Sequence, residues 1–163
     1  MEKENMAIDS SRRNEKAMRL FLEGYNCTQS LVLAFEDLIG MERNQLARIA
    51  SPFGGGMGRL REVCGSVSGM FQVLGFLYGY DEPGNLNVKK ELYERVQELA
   101  RRFEERNGSI VCRELLGLSV KREAPAPEAR TEEYYRKRPC KELIGMAAEI
   151  LDEYIRENPP SGA

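Results

Sequence analysis

Four cysteines are the residues of this 163-residue chain best suited to chemistry, and no histidine stands beside them. Cys27, Cys64, Cys112 and Cys140 are separated by 37, 48 and 28 positions. No pair has the CxxC spacing of zinc fingers or thioredoxin-type centres. The lack of His removes Ser-His-Asp and Cys-His catalysis, imidazole metal ligation and CxxCH haem attachment from within the chain. What remains is thiol chemistry: attack on a disulfide, oxidation, or thiolate ligation of a metal, each of which uses S⁻ rather than SH.

The sequence gives the four a common place at helix starts. Cys27 follows Asn26, an N-cap whose capping-box partner is Gln29. Cys112 lies three residues after Ser109, a cap for a short helix, and Cys140 follows Pro139, a favoured first helical residue. For Cys64 the helix begins anywhere from Gly58 to Glu62. First-turn amides lack intrahelical partners and the macrodipole is positive there, so thiolate is expected at these places. Arg61, Arg113, Arg138 and Lys141 stand close enough in sequence to add to the effect. Each cysteine also opens an apolar stripe, so all four are expected to face inward, and converging helix starts would gather the sulfurs. The alternative is four inert core side chains, a common fate of free Cys.

The elements that must position them are helical. One helix is expected from Ser10 or Ser11 to Glu23, ending at Gly24. Cys27, Leu31, Ala34, Phe35 and Leu38 make one face of the next, closed by Gly40, and a short helix over 44–50 stops before Pro52. An apolar helix spans about 60–79. Val88, Leu92, Val96, Leu99 and Phe103 mark a long amphipathic helix ending at Asn107-Gly108. Cys112, Leu115 and Leu116 share a short helix; residues 119–131 are a polar, Pro-rich loop or flap; and a last helix carries Cys140, Leu143, Ile144, Ala147, Leu151, Tyr154 and Ile155. No stretch alternates as a strand would. The expectation is an all-α fold: a single compact domain of five to six helices over 10–157 around the central Gly-rich helix, with frayed tails at 1–9 and 158–163. One motif occurs twice, Cys112-Arg-Glu-Leu-Leu-Gly117 and Cys140-Lys-Glu-Leu-Ile-Gly145.

Gly54, Gly55, Gly56 and Gly58 form the most irregular backbone. A phosphate cradle is one reading, but no strand precedes the loop and no Lys-Ser/Thr follows it. The favoured reading is a turn that lets backbone pass close to Cys64 or a bound group.

With 42% apolar and 31% charged residues the composition is that of a soluble globular domain, and a net charge of −2 gives no basic field for nucleic acid. Residues 63–80 carry no charge, yet Ser66, Ser68, Gln72 and four glycines interrupt them, which suits a buried helix better than a membrane span. The charged N-terminal stretch has no apolar run of signal-peptide length, so a cytoplasmic location is expected, where cysteines stay reduced.

Cys64-Gly-Ser-Val-Ser-Gly69 resembles the CGAxxG motif of the small bacterial four-cysteine proteins of the C_GCAxxG_C_C family. Asn26-Cys27, the 53–58 loop, the 108–117 segment and Pro139-Cys140 are similar to that family as well, from about 15 to 155. Ser66 departs from the motif's Ala. The resemblance carries over all four cysteines and implies a redox-active protein, without naming a reaction. Three functions are expected in order. The first is thiol redox chemistry with a thiol/disulfide substrate or redox partner protein, needing no cofactor, with Cys64 as principal nucleophile and a second Cys resolving. The second is a zinc or iron–sulfur site held by Cys27, Cys64, Cys112 and Cys140. The third is a non-catalytic helical interaction module, such as a homodimer.

Overall fold

In the computed structural model, which describes residues 12–161, the apolar stripes become helices almost where their periodicity puts them. The expected tail at 1–9 and a first-helix start at Ser10 or Ser11 lie outside the described residues, as do residues 162–163. Helix α1 (Arg13–Leu22) is followed by Gly24. Helix α2 (Cys27–Leu33) starts from the expected capping box: the Asn26 side chain accepts from the Gln29 N–H at 2.9 Å, and the Gln29 side chain accepts from the Asn26 N–H at 3.0 Å.

The single helix expected to run on to Leu38 is two elements, α2 and the one-turn α3 (Glu36–Ile39). Arg13 lies buried opposite the break. Its guanidinium donates to the Ala34 carbonyl at 2.9 Å, pairs with Asp37 at 2.7 Å and lies 4.8 Å from the centre of the Phe35 ring.

Helix α4 (Arg43–Ala50) ends in a 3₁₀ turn over Ser51–Phe53 with Pro52 near its start. Then come α5 (Gly65–Tyr78), α6 (Leu86–Asn107), α7 (Cys112–Leu115), α8 (Glu132–Lys137) and α9 (Cys140–Glu157). Six of these have seven residues or more, matching the expected five to six; of the short ones, α7 is the expected short helix at Cys112, α3 is split from the helix expected to reach Leu38, and α8 has no counterpart in the sequence reading. The fold is all-α and a single compact domain. Among the described residues there is no strand, only an isolated antiparallel bridge between Val63 and Val111.

The central helix is α5, and it begins at Gly65, five residues later than expected. Residues 61–64 instead pair with the chain at 110–113, where α7 begins. The α5 face packs on α2, while α9 packs on α1, and α6 closes the bundle. Phe21, Phe35, Phe103, Leu31, Met70, Leu74, Ile144 and Leu151 are wholly buried between them. Each such side chain contributes about 1.5–3 kcal/mol. Close approach needs small residues at the crossings: a Cβ on Gly69 would stand 3.0 Å from Leu31 Cβ, and one on Gly145 would stand 2.9 Å from Met18 Sδ. No helix among the described residues is long and apolar enough to cross a membrane.

The repeated six-residue motif has two outcomes. In the first copy Gly117 is left-handed (φ 65°), with Gly117 N–H on the Glu114 carbonyl and Leu118 N–H on the Arg113 carbonyl, which stops α7 after one turn. In the second copy Gly145 stays helical and serves the α1 crossing.

Candidate functional site: a pocket shared by four helix starts

Each cysteine stands at the beginning of a helix. Cys27, Cys112 and Cys140 are the first residues of α2, α7 and α9, and Cys64 is the N-cap of α5. Two details differ from expectation. Pro139 is the cap of α9 rather than its first residue, and Val111, not Ser109, caps α7. Ser109 acts one step earlier, accepting from the Val111 N–H at 2.9 Å.

The Val63–Val111 bridge places two of the sulfurs. Cys64 N–H donates to the Ile110 carbonyl at 2.7 Å, and Cys112 N–H donates to the Glu62 carbonyl at 2.5 Å. Side chains alternate across such a pairing, so Cys64 and Cys112 share the face opposite Val63 and Val111. Cys27 and Cys140 reach the same face from α2 and α9. All four line one pocket, with Phe21, Arg61, Arg130, Tyr134 and Leu143 among the other walls. Cys64 and Cys112 are buried, Cys27 and Cys140 half-buried, and all four are free thiols.

The glycine loop supplies the close approach that its composition suggested. Gly56 is left-handed (φ 67°), and a Cβ there would stand 2.6 Å from Cys112 Cβ and 2.8 Å from the Arg61 α carbon. Gly55 also lines the pocket, and Gly54 packs on the side chain of the cap Asn26. The amides of Gly58, Leu60 and Glu62 donate to carbonyls inside the loop, so they are not turned out as an anion cradle would turn them. Three residues with side chains, Met57 (φ 68°), Arg59 (φ 66°) and Arg61 (φ 58°), are also left-handed. Such positions cost roughly 1–3 kcal/mol each and persist where surrounding structure over-determines them.

Burial outweighs the helix-start effect on the thiols. Loss of solvent pushes Cys64 up to about 12; the neighbouring Cys27 adds to this, while the Ser66 hydroxyl and the amides of Ser66 and Val67 pull the other way. The Ser66 Oγ lies 3.0 Å from Cys64 Sγ, so the one departure from the family motif places a hydroxyl directly on this sulfur. Burial also pushes Cys140 up to about 12, with Cys27, Cys64 and Cys112 adding and Arg138 opposing. Cys112 is raised by burial too, but the Arg61 guanidinium opposes it, Nη1 standing 3.6 Å from Sγ. The expectation of resting thiolates at Cys64, Cys112 and Cys140 is thus corrected: their low-dielectric pocket favours neutral thiols, and like charges would repel within it.

Sequence reasoning placed the four cysteines and missed most of their neighbours. Glu123, within the 119–131 segment, pairs with Arg61 at 2.6 Å and with Arg59 at 3.3 Å. Arg130 donates to the carbonyls of Phe21 and Tyr25 at 3.0 and 3.1 Å and stacks on the Phe21 ring. The segment is irregular but pinned at both ends. Arg138 is mostly buried and paired with Glu128 at 2.5 Å. The proline-rich composition carried no signal of these pairings.

Among the described residues no three Cys, Asp or Glu side chains are grouped so that they could hold a metal ion. The site is a pocket lined by all four thiols. It can bring thiols together in a shielded space, which is what disulfide formation and exchange need.

No curated protein and no solved structure shows a match to this chain. A family model described as "Putative redox-active protein (C_GCAxxG_C_C)" matches residues 25–154, a span that holds the whole cysteine pocket. With four cysteines at the four helix starts of that matched span, the chain belongs to the C_GCAxxG_C_C redox-active family.

Proposed function

We propose that the protein is a thiol–disulfide redox protein whose pocket cycles between dithiol and disulfide. The observation that carries this reading is the convergence of four cysteines, from four separate helix starts, on one pocket. A thiolate attacks a low-molecular-weight or protein disulfide, forming a mixed disulfide and releasing one substrate thiolate, which takes up a proton. A second cysteine loses its proton to solvent and attacks the mixed disulfide, expelling the other substrate thiol. Two protein thiols are oxidised and one substrate disulfide is reduced to two thiols. The reverse sequence oxidises a substrate dithiol.

Cys64 was the expected nucleophile from its glycine motif. Cys112, as buried as Cys64, has a guanidinium against its sulfur where Cys64 has a hydroxyl, which favours Cys112 for the first attack and leaves Cys64 to the later, resolving step. Cys27 lies within electrostatic reach of the other three, a position suited to passing the disulfide on. We place this chemistry in the cytoplasm, where the thiols start reduced.

Thiol counting tests the reading. The protein, fully reduced and then equilibrated with oxidised dithiothreitol or glutathione disulfide, is expected to lose thiols in pairs, with the bridge mapped by peptide mass spectrometry. Four free thiols across the whole range of redox buffers would sink it.

A further inference from the structure

Arg61 is an unusual residue on three counts. It is buried, at 6% exposure, in a pocket wall. Its backbone is left-handed, a conformation that a side-chain-bearing residue adopts against its preference. Its guanidinium is held at both ends: Nε donates to Glu123 at 2.6 Å and Nη1 to Cys112 Sγ at 3.6 Å. The main chain repeats the link, since the Arg61 carbonyl accepts from the N–H of Arg113 and from that residue's side chain. Arg61 and Cys112 are thus locked together across 51 residues of sequence, by the same pairing that brings Cys64 into the pocket.

We propose that Arg61 is the positioning residue that makes Cys112 the attacking thiol of the cluster, with Glu123 aiming the guanidinium. This rests on the thiol–disulfide reading above and assigns its first step. Of the four sulfurs, Cys112 is the one on which a guanidinium donates; Cys64 has a hydroxyl instead. A fixed positive charge favours S⁻ over SH in the attack on a disulfide, and in the reverse direction it equally favours Cys112 as the leaving thiolate when the second thiol of a substrate dithiol attacks the mixed disulfide at the substrate sulfur. Glu123, itself tied back to Arg59 through its N–H and its carboxylate, keeps the planar fork in one orientation. A pure packing role for Arg61 would not need its charge.

The test is the pH dependence of alkylation at each cysteine, read by peptide mass spectrometry on the reduced full chain with iodoacetamide. The pH midpoint reports ionisation separately from access. In the unaltered protein Cys112 is expected to have a lower midpoint than Cys64 and Cys140. Arg61→Gln is expected to raise the Cys112 midpoint by about one pH unit and leave the Cys64 midpoint in place. Arg61→Lys, which keeps the charge, is expected to restore most of that shift. A Cys64 or Cys140 midpoint below that of Cys112 in the unaltered chain would overturn the proposal, even if Arg61→Gln failed to fold. So would an unmoved Cys112 midpoint, or an equal shift at every cysteine. The redox reading fails independently, by thiol counting: a chain whose Cys112 midpoint follows Arg61 but which never forms a disulfide keeps Arg61 and loses the redox cycle.

Discussion

At Gly65 the cluster leaves no room for a methyl group. A Cβ there would overlap Cys27 Sγ and stand 2.8 Å from Thr28 Oγ1 and 3.3 Å from the Phe53 carbonyl oxygen. Thr28 is wholly buried and already donates to the Gly65 carbonyl at 2.8 Å, so it has little freedom to retreat. Gly65→Ala is expected to destabilise the fold by about 1–3 kcal/mol through overpacking. Gly75→Ala, on the same helix with open space around it, is expected to be neutral or stabilising by up to about 1 kcal/mol. Chemical denaturation of the two variants checks the contrast, and equal effects would mean the close approach is not tight. At this scale the cysteines were legible because helix caps are local: Asn26, Gln29 and Pro139 lie within three residues of the sulfurs they place. Arg61 on Cys112 and Glu123 on Arg61 were not legible, since partners 51 and 62 residues away leave no periodic trace.

Among the elements, α2 depends most visibly on its cap. Asn26 satisfies the Gln29 amide, receives the Gln29 side chain on its own N–H, and donates from Nδ2 to the Ser51 carbonyl at 3.0 Å. Gln29 in turn donates to the Ala47 carbonyl at 3.0 Å, so one capping box ties α2 to the end of α4 and orients Cys27. Asn26→Ala is expected to cost about 1–2 kcal/mol. Asn26→Asp, which keeps the accepting oxygen at the helix start, is expected to cost less. Denaturation midpoints separate the two contributions: if Asp is as damaging as Ala, the tie to Ser51 matters more than the cap. The long helices α6 and α9 were readable from their stripes because burial of one face dictates the period. The start of α5 was not. Leu60 to Cys64 hold no glycine or proline to mark a break before the helix, and it is pairing with the chain at 110–113 that keeps them out of it.

For the whole molecule, the buried thiols couple stability to alkaline pH. Cys64 and Cys140 titrate near 12 in the folded chain because burial disfavours their charge, against an ordinary value of 9.0. Between those values the unfolded chain releases protons that the folded chain retains, so rising pH favours unfolding. The stabilising contribution is fully present below about pH 9 and is lost as pH climbs toward 12, at about 1.4 kcal/mol per pH unit per thiol. Asp37 gives the opposite limb. Burial alone would raise its pKa, but the Arg13 hydrogen bond and charge outweigh it, so its contribution is present above 3.8 and lost as pH falls below that. Denaturant midpoints measured from pH 7 to 11 under reducing conditions should therefore hold to about pH 9 and fall above it, and a Cys64→Ser, Cys140→Ser variant should show a flatter alkaline limb. Parallel curves would mean the pocket is wetter than its packing implies. The same measurement reaches the redox reading, because a disulfide has no proton to lose. An oxidised protein whose bridge includes Cys64 or Cys140 should lose that thiol's share of the alkaline slope, tying redox state to stability through the same burial that keeps the thiols neutral.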